Sequence, residues 1–354
     1  MNKTRVLIVD DSALVRSVIS ELLANDPSIE VAGTAVDPYD ARDKIKQLKP
    51  DVLTLDIEMP RMDGITFLRN LMKLNPMPVV MLSTLTHAGA EVTLQALELG
   101  AVDFIAKPKA TDQSHILAVF ESELCNKVKT AAASASKLKF HRKPVAERHL
   151  RQAPQIGPVS DILGGKQQVI AIGASTGGTE ALAELLIQLP NNIPPIIVTQ
   201  HIPASFSERF ARRLNKLCSL TVKQAEEGDI LQPGCVYIAP GSHHLQIRKQ
   251  GHQLICNLNN GAEVNRHKPS VEVMFDSLLE VTPFKVSAMM LTGMGKDGAK
   301  AMKRLFDSGA HTIVQDEASS LVWGMPGAAA KYGAAKEIVS LQKMPAKLTK
   351  HLSS

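Results

Sequence analysis

The stretch Val169-Ile-Ala-Ile-Gly-Ala-Ser-Thr-Gly-Gly178 decides how this chain is read. Its first half is a short apolar run, the mark of a strand buried on both faces of a parallel sheet. Its second half sets Ser175 among glycines. They allow a tight strand-to-helix turn that exposes a hydroxyl beside the positive end of a helix predicted over 177–188. A dinucleotide-binding loop would need glycine at the first, third and sixth positions, the third so that backbone can approach a pyrophosphate. Here the third position is Ser175. The turn therefore reads either as a nucleophile presented for reaction or as a serine capping its helix.

Two neighbouring runs weigh on that choice. Pro195-Ile-Ile-Val-Thr-Gln200 leads into His201, and Val286–Thr292 leads through Gly293-Met-Gly295 to Asp297. In an open α/β sheet, ligands bind outside the carboxyl ends of the strands. Adjacent parallel strands lie about 5 Å apart, so a hydroxyl and an imidazole one βα unit apart can meet. Serine needs such a base because its hydroxyl is almost wholly protonated at neutral pH. Asp297 opens a helix predicted over 297–308 and could be only its N-cap. It could equally hold the second imidazole nitrogen and stabilise the imidazolium. The three together have the composition of a Ser-His-Asp hydrolase site, which is recognised by roles and not by chain order. Backbone amides after Ser175, that of Thr176 first, would face a developing oxyanion. Among the eleven histidines, His243, His244 and His252 read as surface or satisfied core residues.

Outward from this site the chain alternates strands and helices. In the C-terminal half strands are predicted at 168–173, 195–200, 220–225, 235–239, 286–292 and 310–315, with helices at 177–188, 205–217, 270–280 and 297–308. His244–Leu258 alternates around Gly251 and reads as a β-hairpin insertion. The N-terminal half gives strands at 5–10, 29–35, 51–56, 78–83 and 102–106. Its helices are predicted at 12–25, 38–48, 64–75, 87–99 and 112–129. The fold class is α/β throughout. It combines an N-terminal (βα)5 doubly wound parallel sheet with a C-terminal doubly wound α/β hydrolytic domain. The domains are expected at 1–124 and 166–354. Between them, 125–165 is rich in Ala, Ser, Pro, Gly and basic residues and reads as a flexible linker.

The N-terminal half has an acidic constellation of its own. Asp10 and Asp11 close Arg5-Val-Leu-Ile-Val9, Asp56 closes Asp51-Val-Leu-Thr-Leu55, and Lys107-Pro108 follows Val102-Asp-Phe-Ile-Ala106. Carboxylates converging on one sheet edge repel unless a divalent cation lies among them, and such oxygen ligands suit Mg2+. Lys107 supplies a fixed cation, and Ser83 can hydrogen-bond a phosphoryl oxygen. A carboxylate can also act as a nucleophile on phosphorus. Taken singly, each acid could merely cap a helix, as Asp11 could before Ser12.

Composition narrows the classes. The chain has 354 residues, 44% hydrophobic, enough for two or three domains with real cores. No apolar stretch approaches the roughly 18 residues of a membrane span, and the N-terminus has no secretory signal pattern. Membrane insertion is not expected. Cys125, Cys218, Cys235 and Cys256 form no Cys-x-x-Cys pair, so neither a disulfide framework nor a zinc site is indicated, and a reducing cytoplasm is expected. Net charge is +5 but uneven. Residues 1–124 hold 12 Lys/Arg against 18 Asp/Glu, 125–165 hold 8 against 2, and 166–354 hold 20 against 15. With three tyrosines and one tryptophan there is little aromatic surface for base stacking, so no nucleic acid is expected. A solvated basic linker beside an acidic domain accounts for the split.

Two resemblances extend this reading. Met59-Pro-Arg-Met-Asp-Gly64 after Asp56, with Asp10-Asp11 and Lys107-Pro108, closely resembles a two-component receiver domain over about residues 1–124. The resemblance implies Asp56 as phosphoacceptor, and Asp10 and Asp11 with Asp56 as Mg2+ ligands. It also implies Ser83 as switch hydroxyl, Lys107 as phosphate contact and Phe104 as switch aromatic, although by spacing alone Phe104 is a core residue. The second domain resembles the chemotaxis protein-glutamate methylesterase (CheB) family. The similarity is carried by Ile170-Ala-Ile-Gly-Ala-Ser-Thr-Gly-Gly, Gln200-His-Ile-Pro203, Tyr237-Ile-Ala-Pro-Gly241, His267-Lys-Pro-Ser-Val271 and Leu291-Thr-Gly-Met-Gly-Lys-Asp-Gly298. It implies Ser175 as nucleophile, His201 as general base and acid, Asp297 as orienter and the Met294 backbone as oxyanion donor, with no cofactor for the ester chemistry. It further implies methyl-accepting chemoreceptors as substrates, with removal of glutamate methyl groups and deamidation of specific glutamines. A chemotaxis histidine kinase is the implied phosphodonor. Glu272 stands where the family more often has Asp, and the linker is longer and more basic than usual.

Overall fold

The computed structural model describes residues 3–84, 87–107, 114–138 and 167–353. The chain divides into two compact units, Met1–Pro144 and Val145–Ser354.

The first unit has five strands, β1 (Thr4–Val9), β2 (Ile29–Ala35), β3 (Val52–Asp56), β4 (Val79–Ser83) and β5 (Asp103–Ala106). They form one parallel sheet in the order β2-β1-β3-β4-β5. Helices α1 (Ala13–Ala24), α2 (Pro38–Leu48), α3 (Gly64–Leu74), α4 (His87–Glu98) and α5 (Ser114–Ala133) connect or follow them. Val6–Val9 on β1 are fully buried, as a strand covered on both faces must be. Asp37 accepts from the Tyr39 and Asp40 amides and Asp63 from that of Thr66, so these two acids do cap helices.

One expectation changes here. The stretch assigned to a linker from 125 onward begins as helix. α5 continues to Ala133 and is followed by the short helix α6 (Ala135–Leu138). The reason is an unbroken apolar face: Leu124, Cys125, Val128 and Ala131 are buried, and Lys129 pairs with Asp26, just past the C-terminus of α1, at 2.6 Å. Residues 139–165 of the expected linker lie outside the described residues.

The second unit is built on seven parallel strands in the order β14-β13-β12-β6-β7-β9-β8. They are β6 (Gln168–Ala174), β7 (Ile196–Gln200), β8 (Thr221–Gln224), β9 (Cys235–Ile238), β12 (Lys285–Met290), β13 (His311–Gln315) and β14 (Glu337–Val339). The hairpin is present as β10 (His244–Gln250) and β11 (Gln253–Asn259), a separate two-stranded sheet turning at Gly251. Its inner residues Leu245, Ile247, Leu254 and Cys256 join the core with Val271 and Phe275. Helices α7 (Gly178–Ile187), α8 (Ala204–Leu217), α9 (Val271–Ser277) and α10 (Ala299–Asp307) fall close to their predicted spans. The sequence reading missed α11 (Met325–Lys331), β14 and α12 (Met344–Leu352). Helix α11 opens Met-Pro-Gly, which reads as loop. Pro326 sits in its first turn, where no amide is lost, and Gly327 packs under the Trp323 ring. β14 is a three-residue edge strand, too short for a pattern.

The topology places the key segments. β6 lies between β7 and β12, so one sheet edge receives the ends of all three strands. The chain leaves β6 toward β7 and returns to its other side at β12, which makes the end of β6 a switch point of an open sheet.

Candidate functional site

Ser175, His201 and Asp297 meet at that switch point. The His201 amide donates to the Ala174 carbonyl at 3.1 Å, and the Ser175 amide donates to the Thr292 carbonyl at 3.1 Å, which ties the three strand ends together. Gly177, at φ +75°, reverses the chain after Ser175 and starts α7, a conformation that a residue with a side chain rarely adopts. Gly293 has a different reason to be glycine: an added Cβ would lie 2.8 Å from the Ser175 Cβ. The loop from β12 thus runs directly against the serine.

The side chains form a hydrogen-bonded chain. Ser175 Oγ lies 3.1 Å from His201 Nδ1, and His201 Nε2 lies 2.9 Å from Asp297 Oδ2. The His201 side chain is 9% exposed and that of Asp297 1%, whereas Ser175 is half-buried. An ionised Asp297 accepts the Nε2 proton, which leaves Nδ1 as the acceptor for the serine hydroxyl. The two ring nitrogens are used in the reverse sense from a chymotrypsin-type site, with the same connectivity of roles.

Asp297 also caps a helix, though not its own. The N-cap of α10 is Gly298. The carboxylate instead accepts from the Val271 amide at 2.6 Å and the Ser270 hydroxyl at 2.8 Å, at the start of α9. Asn265 Nδ2 adds a further bond at 2.8 Å. Burial opposes the charge of Asp297, but hydrogen bonds from His201, Asn265 and Ser270 outweigh it and hold the carboxyl down at about 2. The group is a fixed anion at any physiological pH.

Sequence reasoning missed the residues that support this chain. Gln200 is buried and donates from Nε2 to the Ser175 and His201 carbonyls at 3.0 and 3.2 Å. Asn265 and Ser270 clamp Asp297, and the His267 ring stacks on that of His201. The only signal for Ser270 and His267 was their place in a motif of the family resemblance, and none marked Asn265. His244 is a satisfied core residue as read, with Nδ1 accepting from the Ser270 amide and Nε2 donating to the Ala262 carbonyl. Of the two oxyanion candidates, Thr176 follows Ser175 in the turn with its carbonyl held by the Thr292 hydroxyl at 3.0 Å, and Met294 is half-buried in the adjoining loop.

The first unit gathers its acids at the carboxyl edge of β1 and β3. Asp10 and Asp56 are buried and Asp11 is exposed, and each offers an oxygen within 4.8 Å of the others. Lys107 Nζ bridges Asp10 Oδ2 and Asp56 Oδ2, both at 2.8 Å. Burial raises the Asp56 carboxyl above its ordinary value, Lys107 opposes that, and the charge of Asp10 adds to it. Burial likewise works against the Lys107 charge, but its bonds to Asp10 and Asp56 raise its pKa. Three hard oxygen donors at this spacing fit a divalent cation such as Mg2+. Ser83 stands at the end of the next strand, its hydroxyl 2.7 Å from that of Thr93 on α4. Thr93 was not singled out from the sequence. Phe104 is buried, with Lys127 Nζ 5.2 Å from its ring centre, so it occupies the core position that its spacing suggested.

Comparison with known proteins covers both units. Residues 170–348 match the CheB methylesterase family, and residues 6–121 match the response regulator receiver domain. A protein-glutamate methylesterase/protein-glutamine glutaminase of Hydrogenovibrio crunogenus is 52% identical, over 98% of each chain. Its counterpart 2 in Saccharophagus degradans is 51% identical over 99% of each. The crystal structure of the Thermotoga maritima CheB methylesterase catalytic domain superposes with a TM-score of 0.51 at 37% identity, covering 52% of this chain and 99% of that one.

Proposed function

The chain belongs to the CheB methylesterase family, and on that premise we propose that Ser175, His201 and Asp297 hydrolyse glutamate methyl esters, and specific glutamine amides, on chemoreceptors. It is a protein-glutamate methylesterase/protein-glutamine glutaminase carrying a response regulator receiver domain, as its full-length relatives are. The observation that carries the mechanism is the unbroken chain Ser175 Oγ to His201 to Asp297. Ser175 Oγ attacks the ester carbonyl while its proton passes to His201 Nδ1. The imidazolium is held by Asp297, and the Thr176 and Met294 backbone amides receive the oxyanion. His201 returns the proton to the departing methoxide, so methanol leaves. It then takes a proton from water, whose oxygen bonds to the acyl carbon, and returns that proton to Ser175 Oγ as the serine–acyl bond breaks and glutamate leaves. With glutamine the leaving group is ammonia and the remaining steps are the same.

In the receiver, Asp56 accepts a phosphoryl group from the chemotaxis histidine kinase, and this modification raises esterase activity. Asp10, Asp11 and Asp56 would hold Mg2+, which when bound offsets the charge of the phosphoryl oxygens. Lys107 and the Ser83 hydroxyl then contact that group, and Phe104 follows the switch. The receiver is taken as residues 1–124 and the catalytic domain as residues 166–354. No described helix is long and apolar enough to cross a membrane. The reaction is placed in the cytoplasm, where the four cysteines would stay reduced.

The test is methanol release from methylated receptor with and without acetyl phosphate. Ser175→Ala is expected to lower turnover by about 10^4-fold or more. Asp56→Ala is expected to keep basal turnover and lose the stimulation by phosphodonor, a factor of about 5–150 if typical of coupled sites. Full turnover in Ser175→Ala would end the serine mechanism, and stimulation surviving in Asp56→Ala would end the assignment of the phosphoacceptor.

A further inference from the structure

A second histidine lies on the His201 imidazole. The rings of His201 and His267 are stacked with centroids 3.7 Å apart and planes inclined by 20°. His201 is already held at two edges, by Ser175 at Nδ1 and by Asp297 at Nε2. The Cβ–Cγ bond and these two hydrogen bonds locate the ring, but hydrogen-bond angles are soft, so the ring can still tilt out of the plane that joins its partners. A flat group on one face restrains that remaining freedom.

The loop that carries His267 is built for this. Val264 and His267 exchange amide-to-carbonyl bonds at 3.1 and 3.0 Å, enclosing Asn265 and Arg266, which have φ +55° and +67°. Positive φ at both central residues is the pattern of a type I′ turn, and it is uncommon for arginine. Asn265, inside the turn, bonds Asp297 at 2.8 Å, while His267, at its end, covers His201. One four-residue turn therefore touches both the anion and the base. Its two ends are pinned to the buried His244 ring, through Ala262 on one side and Ser270 on the other. Strain of this kind persists only where surrounding contacts over-determine it.

We propose that His267 is a positioning residue of the esterase, whose ring keeps the His201 imidazole in the plane that joins Ser175 to Asp297. This rests on the triad reading of those three residues. The restraint matters in the chemical steps, when a proton moves between Ser175 Oγ and His201 Nδ1 and a small tilt lengthens that bond. Because the restraint acts in the proton-transfer steps, kcat and not KM is expected to carry the effect.

The test compares His267→Ala and His267→Phe in the full chain, on methylated receptor. The alanine variant is expected to lose about 10-fold or more in kcat, with KM within about two-fold. Phenylalanine keeps a flat face and is expected to recover most of that loss. If alanine prevents folding, His267→Leu, which fills space without a flat face, takes its place with the same expectation. An unchanged kcat in the alanine or leucine variant, or a phenylalanine variant equally slow, overturns the proposal. The downfield NMR signal of the His201 Nε2 proton gives a reading without turnover. It is expected to persist in wild type and His267→Phe and to broaden or vanish in His267→Ala. An identical signal in all three sinks the stack even with the triad intact. Full turnover in Ser175→Ala would instead sink the triad and leave this measurement standing.

Discussion

Asp56 and Asp297 make an instructive pair. Each ends or follows a strand of a parallel sheet, and each is nearly inaccessible, at 3% and 1% exposure. Burial alone pushes both carboxyls up, yet Asp56 stays raised and Asp297 is held at about 2. The difference is the count and kind of neighbours. Asp297 collects bonds from His201, Asn265, Ser270 and the Val271 amide, with no other carboxylate in the set. Asp56 has Lys107 and the Glu58 amide but must share the lysine with Asp10. Donors, not depth, decide the charge of a buried acid. The consequence is functional. Under the proposed roles, a fully satisfied carboxylate serves as a fixed electrostatic support, whereas one with competing neighbours keeps a lone pair for a metal or a phosphoryl group.

The contrast can be broken most severely at Asp297. Asp297→Asn keeps the shape and removes the charge, and kcat for ester hydrolysis is expected to fall by about 10^4-fold. If turnover survives while thermal stability collapses, Asp297 is only a cap for α9 and the comparison loses one side. A smaller effect is expected at the other carboxylate site. Lys107→Met leaves Asp10 and Asp56 as adjacent buried acids without their cation, a loss of about 3–5 kcal/mol at neutral pH. Thermal denaturation should find part of that loss recovered near pH 4, where protonation relieves the repulsion. Equal destabilisation at both pH values would mean that Lys107 acts by packing and not by charge.

The smallest expected effect uses acid to separate histidine from carboxylate contributions in the second unit. His351 on α12 stacks on the buried His311, centroids 3.7 Å apart, and burial followed by the charge of His311 lowers it to about 4 from 6.5. The neutral form is favoured on folding, so its contribution is complete above pH 6.5 and declines as pH falls toward 4. Asp297, with its pKa depressed from 3.8 to about 2, contributes above pH 3.8 and is lost only as pH falls through 2. His351→Phe should therefore flatten the Tm profile between pH 6.5 and 4, by a few degrees at most, while leaving the steeper loss below pH 4. An unchanged slope between pH 6.5 and 4 would exclude His351 as its source.

Much of both candidate sites is legible in the amino-acid sequence, for a common reason. Buried parallel strands are continuous apolar runs, and the residue after each run stands at the ligand edge. Asp10, Asp56, Ser175 and His201 were placed at strand ends that way, and the fold brings them to the two sheet edges. Asp297 was found too, but its second partner was not: it had the position of a cap for α10, and it caps α9 across the site. Ser83 carried the expectation of facing a phosphoryl group, and its hydroxyl bonds Thr93. Helix α5 outran its expected limit because its apolar face continues to Ala131. Helix α11 stayed hidden because Pro326 and Gly327 are loop residues by local preference and helical only by packing.

Local pattern by itself determined the strands, the glycine turn and the kinds of chemical group set at their ends. It did so because side-chain period and the backbone freedom of glycine act over a few residues. Tertiary structure alone decided which nitrogen of His201 meets Ser175, which donors hold Asp297 ionised, and that His267 covers the imidazole. Those outcomes depend on hydrogen bonds and ring contacts between segments 26 to 96 positions apart, and no short-range preference encodes where two such segments cross.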